Sequence, residues 1–204
     1  THHKQAEGSE HTLAFLKIPV VWWCFGFFLL STMTLAVVQS FAVSILQAMH
    51  HVTFEAATMT LTAYMLCAAL GMLVGGFVAA RWPRQSDKVV ASCMTVAALL
   101  MALCGSGWLD ANATMVILAA TGLAIGVGGP SRDMMIKKAT PKGATGRVYG
   151  MVYSGLDVGF AMSPLIFGVF MDHGWYGATL LGAAVVLLMS VGVALGVGRR
   201  TVQS

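Results

Sequence analysis

Six stretches of this chain, 18–49, 56–80, 89–109, 111–131, 148–171 and 174–198, hold no charged side chain except one aspartate in the fifth. At 1.5 Å per residue each is long enough to carry a helix across the roughly 30 Å of hydrocarbon in a bilayer. No water is available there, so backbone N–H and C=O groups must pair within the segment, and a helix is the spanning form that achieves this. The chain therefore reads as an all-α membrane protein of six transmembrane helices with no soluble domain. Composition agrees: 10% of residues are charged, against about a quarter in soluble domains.

The twelve Lys and Arg residues all fall on one side of this arrangement. Lys4 and Lys17 precede the first run, and Arg81, Arg84 and Lys88 separate the second from the third. Arg132, Lys137, Lys138, Lys142 and Arg147 lie between the fourth and fifth, and Arg199 and Arg200 follow the sixth. The three opposite connections contain His50, His51, Glu55, Asp110, Asp172 and His173, with no Lys or Arg. The positive-inside rule places both termini in the cytoplasm. Residues 1–17 then form a cytoplasmic linker or tail and 199–204 a cytoplasmic C-terminal tail. The net charge of +4 is a topology signal, and no nucleic-acid partner is expected. The polar opening THHKQAEGSEH resembles the end of a linker, so a further segment upstream is expected. Cys24, Cys67, Cys93 and Cys104 lie within spans without CxxC spacing and read as small apolar packing residues.

The spans differ in polarity. The third and sixth have few polar groups and read as peripheral, lipid-facing helices. On the first, Thr32, Gln39, Ser40, Ser44 and Gln47 fall within roughly 140° of arc at 100° per residue. Such a stripe either lines a substrate path or bonds to neighbouring helices. On the second, Thr58, Thr62 and Tyr64 make a weaker case, because hydroxyls often bond back to their own helix. The fourth ends in GLAIGVGGPSRD, whose glycines Gly122, Gly126, Gly128 and Gly129 permit close backbone contact. Pro130 marks a kink or hinge.

The fifth span holds the aspartate. Tyr149, Tyr153 and Asp157 are spaced i, i+4, i+8 and share one face within roughly 80°, while Gly155, Gly159 and Ser163 repeat every four residues on another. Asp157 lies roughly 15 Å from the basic flank, near the bilayer midplane. A charge there costs about 2.5–3.5 kcal/mol on insertion scales. Two roles are open to it. In one it faces a cavity, binding and releasing a proton or meeting a cationic group. In the other it is a neutral acid bonded to Tyr153, Ser154 or a backbone carbonyl.

This order of elements resembles one half of a major facilitator superfamily transporter, and the resemblance covers the whole chain. GGFVAARWPRQSDK is similar to that family's loop signature between the second and third helices, glycine–x–leucine–alanine–aspartate–arginine followed by basic residues. Gly76 and Arg81 match, and Ala80 stands at the aspartate position. The fifth span resembles the family's antiporter motif: Gly150, Gly159, Pro164 and Gly168 fit, while Ser163 and Phe167 replace two glycines. PSRDMMIKKATPKGATGRVYGMVYSGLDVG is also similar to bacterial exporters related to fosmidomycin-resistance permeases.

The resemblance implies the C-terminal half of a transporter, helices seven to twelve, in a bacterial inner membrane. It would work by alternating access with a missing N-terminal six-helix half, with nested inverted repeats in each half. Its partners would be membrane lipid, a small-molecule substrate and protons, with no cofactor and no resident metal. Proton-driven export of a small organic compound is expected first, and proton-coupled uptake of an organic anion or metabolite second. The pathway residues would be Asp157, Tyr153, Tyr149, Gln39, Ser40, Ser44 and Gln47. Gly150, Gly155, Gly159, Pro164, Gly168, Gly76 and Arg81 would serve packing and conformational change. An intramembrane enzyme would need converging catalytic groups, and the spans offer one carboxylate. His51 and Glu55, four apart, lack an obvious third metal ligand. A structural membrane subunit is the third possibility.

Overall fold

The computed structural model describes residues 18–140 and 145–202. The expected linker 1–17 and Lys142 lie outside the described residues. Six long helices follow one another: α1 Pro19–His50, α2 Phe54–Arg81, α3 Ser86–Gly105, α4 Ala111–Ala139, α5 Thr145–Asp172 and α6 Tyr176–Val202. A 3-10 turn, Pro83–Gln85, precedes α3. All six are long and apolar enough to cross a membrane, and the described residues include no strand. The chain is an all-helical six-span bundle.

Local chemistry explains where the helices start and stop. Pro19 opens α1, where its missing N–H costs nothing. Thr53 caps α2 by accepting from the Ala56 amide at 3.2 Å, and Asp110 caps α4 by accepting from the Ala113 amide at 2.9 Å. His51 ends α1 in the left-handed region at φ 53°, its N–H bonded to the Gln47 carbonyl.

Several helix ends run past the charge-free stretches. The fourth stretch stops at 131, yet α4 passes through Pro130 and continues to Ala139. Arg132, Lys137 and Lys138, expected in a loop, are on that helix. Loss of hydropathy marks the edge of the lipid, while the backbone ladder persists into water. Pro130 removes only one donor from it.

Arg81, Lys88, Arg132, Lys138, Arg147 and Arg200 all lie at one end of the bundle, the basic end. The main packing pairs are α2 with α4, α1 with α5, α3 with α4, α1 with α6, and α3 with α6. Exchanging α1–α3 for α4–α6 maps this set onto itself, and the two triplets enter from opposite ends. That is an internal inverted repeat. α3 and α6 form the back of the bundle. Each buries one face, Met94, Ala97 and Met101 on α3 and Ala183, Leu187 and Ala194 on α6, while Val96, Leu99, Val185 and Met189 stay exposed. The helices that bury least are α2 and α5, so the expected peripheral pair, α3 and α6, is better covered within this unit than α5, which carries the expected pathway face.

Small residues set the closest approaches. A Cβ added at Gly71 would lie 2.5 Å from the Leu123 carbonyl oxygen, and one at Gly126 would overlap the Ala68 carbonyl. On the symmetry-related seam, a Cβ at Gly155 would lie 3.0 Å from the Phe25 carbonyl oxygen and one at Gly159 2.8 Å from that of Leu29. Without a hydrophobic effect between helices in lipid, such seams gain from dispersion and short interhelical bonds. Adjacent residues of α1 supply two of these bonds. Ser163 donates to the Met33 carbonyl at 3.0 Å, and Thr34 donates to the Ala183 carbonyl at 3.0 Å. Other hydroxyls bond back to their own helix, as Thr60, Thr62 and Thr121 do.

Candidate functional site

The α1–α5 seam decides what the rest of α5 presents. With Gly155, Gly159 and Ser163 against α1, Tyr149 and Tyr153 turn toward α4 and Asp157 turns away from the seam. The two tyrosine rings stack at 5.9 Å with an interplanar angle of 25°, as their i, i+4 spacing allows. Tyr153 also packs on Phe28 of α1 at 5.1 Å. Its hydroxyl donates to Asp133 Oδ1 on α4 at 3.3 Å. Arg132 Nε approaches the same oxygen at 3.5 Å, and its guanidinium lies 5.1 Å over the Phe28 ring. Three helices thus meet at the basic end in one cluster of three aromatic rings, a cation and a carboxylate. The Arg132 side chain is 18% exposed and that of Asp133 48%. The cation is shielded by Phe28, and its partner remains open to an approaching solute.

Asp157 is exposed near the middle of α5 and has no hydrogen-bond or ion-pair partner among the described residues. Tyr153 is engaged with Asp133, and Ser154 donates to the Met151 carbonyl of its own helix. The local partners envisaged for a neutral, bonded acid are therefore occupied. The α1 stripe is divided. Thr32 is buried where Gly159 crosses it, Gln39, Ser40 and Ser44 are exposed, and Gln47 is half-buried. The crossing of α5 over α1 covers the stripe at Thr32, near mid-span, and leaves it open from Gln39 toward the opposite end.

The remaining motif residues are scattered. Of the glycine–proline motif on α5, Gly159 sits in the seam, whereas a Cβ at Gly150 or Gly168 would meet nothing within 4 Å. Pro164 is exposed. Gly76 is likewise clear of neighbours, and Arg81 is exposed in the last turn of α2. The basic end is held by other contacts. Lys138 donates to the Pro83 carbonyl and, at 3.3 Å, to Ser86 Oγ. Arg200 lies 4.9 Å over the Trp23 ring.

Phe28, Arg132 and Asp133 were not singled out by sequence. The signal that finds them is continuation of the helical period through Pro130, which places Asp133 on α4 rather than in a loop. Among the described residues no three His, Cys, Asp or Glu groups converge to hold a metal. The geometry offers binding groups instead: an open mid-span carboxylate, a row of amides and hydroxyls, and an aromatic–ionic cluster at one mouth.

No curated protein sequence matches the chain. The family profile described as Major Facilitator Superfamily matches residues 12–203, nearly the whole of the 204. Six apolar helices, an inverted repeat and this match agree: the chain belongs to the Major Facilitator Superfamily and is a multi-pass membrane transport protein.

Proposed function

We propose that this chain is the C-terminal half, helices seven to twelve, of a secondary transporter that exports a small organic compound in exchange for protons by alternating access. It would sit in a bacterial inner membrane with the basic end and both termini cytoplasmic, in keeping with the positive-inside rule. Its likeness to the fosmidomycin-resistance type of exporter supports the direction. Asp157 carries the reading: a carboxylate at mid-span, exposed on α5 and without a partner among the described residues, is costly in lipid unless it meets a proton or a cationic solute there. Gln39, Ser40, Ser44 and Gln47 on α1 would line the same path, and Tyr149 and Tyr153 would lie at its cytoplasmic mouth. Gly155 and Gly159 would let α5 move against α1, and Gly150, Pro164, Gly168, Gly76 and Arg81 would serve the conformational change.

Proton-coupled uptake of an organic anion is the second reading. Its support is Arg132, a guanidinium held at the mouth by Phe28 and Asp133.

The test places the whole protein and its Asp157→Asn form in a host stripped of efflux pumps. Growth is measured across toxic compounds at two pH values. Export predicts pH-dependent protection by the parent and none by an equally abundant Asp157→Asn form. Equal protection by both forms removes Asp157 from the mechanism, and protection by neither turns the assay to uptake.

A further inference from the structure

We propose that the groove between α3 and α4 binds an anionic phospholipid. Its acyl chain would lie along the groove and its phosphate would be held at the basic end by Lys88 and Lys138.

The groove is an open furrow of about 430 Å³, and its walls include Cys93, Val96 and Leu100 of α3 and Leu123, Ala124 and Val127 of α4. It lies between two points where the helices touch. Toward the basic end Gly128 meets Cys93, with an added Cβ 3.1 Å from that of Cys93. Toward the other end the Cys104 thiol reaches the Thr114 carbonyl at 3.7 Å. Between them the small side chains of Ala120 and Ala124 leave the helices unfilled against each other. The walls are almost wholly apolar, so hydrocarbon rather than water fills the space.

What selects the lipid is the mouth. Lys88 stands one turn from Ser92, which lines the groove and donates back to the Lys88 carbonyl at 2.8 Å. On α4, Lys138 falls on the same helical stripe as Ala124 and Val127. It reaches across to the start of α3 through Pro83 and Ser86, and its ammonium keeps a third donor. Lys88, Lys138 and Arg84 are all exposed. The nearby acid, Asp87, is turned the other way and packs on Gly198 of α6. The mouth therefore presents cations at the depth where a phosphodiester lies. A lipid whose headgroup adds its own ammonium would be repelled.

The test is native mass spectrometry of the whole protein released from detergent with phosphatidylglycerol or phosphatidylcholine of the same chain length. At least a fivefold preference for phosphatidylglycerol is expected. Lys88→Gln combined with Lys138→Gln should bring that preference close to one in a protein that still melts cooperatively without lipid, at a lower temperature because the Lys138 bonds to Pro83 and Ser86 are lost. Ala124→Phe should reduce retention of both lipids by filling the groove. Equal retention of the two lipids by the parent, or a preference that survives the lysine pair, overturns the proposal. So does undiminished lipid retention by a folded Ala124→Phe protein.

Discussion

The Tyr153 hydroxyl donates to Asp133 Oδ1 at 3.3 Å, joining α5 to α4 at the basic end, where the two helices have little other contact. Tyr153 belongs to the expected pathway face. Asp133 stands on the stretch of α4 beyond Pro130. Their bond closes one side of the mouth.

Tyr153→Phe removes that bond and keeps the ring against Phe28 and Tyr149. A loss of about 0.5–1.5 kcal/mol is expected, with normal abundance in the membrane. Phe28→Ala, at a fully buried ring, should cost about 3–5 kcal/mol. Thermal melts in detergent compare the two, and equal losses would mean the hydroxyl carries more than this one bond.

The glycine seams give a graded series. Gly126→Ala drives a methyl into the Ala68 carbonyl of α2, and an overpacking cost of about 1–3 kcal/mol is expected. Gly76→Ala enters open space and should be neutral, or stabilising by up to about 1 kcal/mol. Membrane abundance and melting temperature read both. If Gly76→Ala is the more damaging change, the seam does not set the packing.

Ser163→Ala and Thr34→Val each delete one interhelical bond from α1. Losses near 0.6 kcal/mol each are expected, the average for such bonds within a bilayer. The bonds go to different helices, α5 and α6, so the double variant should be close to additive. A coupling above about 1 kcal/mol in a double-mutant cycle would show that α5 and α6 move as one body against α1.

Asp157→Asn should leave the melting temperature and abundance unchanged to within about 0.5 kcal/mol, because the carboxylate is exposed and unpartnered among the described residues. A large destabilisation would show that Asp157 is held by contacts made in the membrane. Any transport defect of that variant would then be ambiguous.

The seam residues show how far the sequence could be read. Spacing by four put Gly155, Gly159 and Ser163 on one face, and that face is the one packed on α1. The same arithmetic grouped Tyr149 and Tyr153 with Asp157. The tyrosines stack with each other, but the hydroxyl of Tyr153 goes to a residue on another helix. The α1 stripe was visible as a row of polar residues. Its division into a covered part at Thr32 and an open part from Gln39 onward was not, because the division depends on where α5 crosses.

Sequence by itself determined the six spans, the all-helical class, the segregation of basic residues and the depth of Asp157. Each of these follows from a local requirement. Hydrocarbon demands apolar side chains and a self-paired backbone over a known length, and every residue in a span answers to that demand separately. Tertiary structure decided the partner of Tyr153, the groove between α3 and α4 and the open setting of Asp157. These depend on helix register and crossing angle, fixed where small side chains let backbones approach. The contacts that fix them join residues as far apart as Thr34 and Ala183, 149 positions along the chain. No local pattern carries that separation.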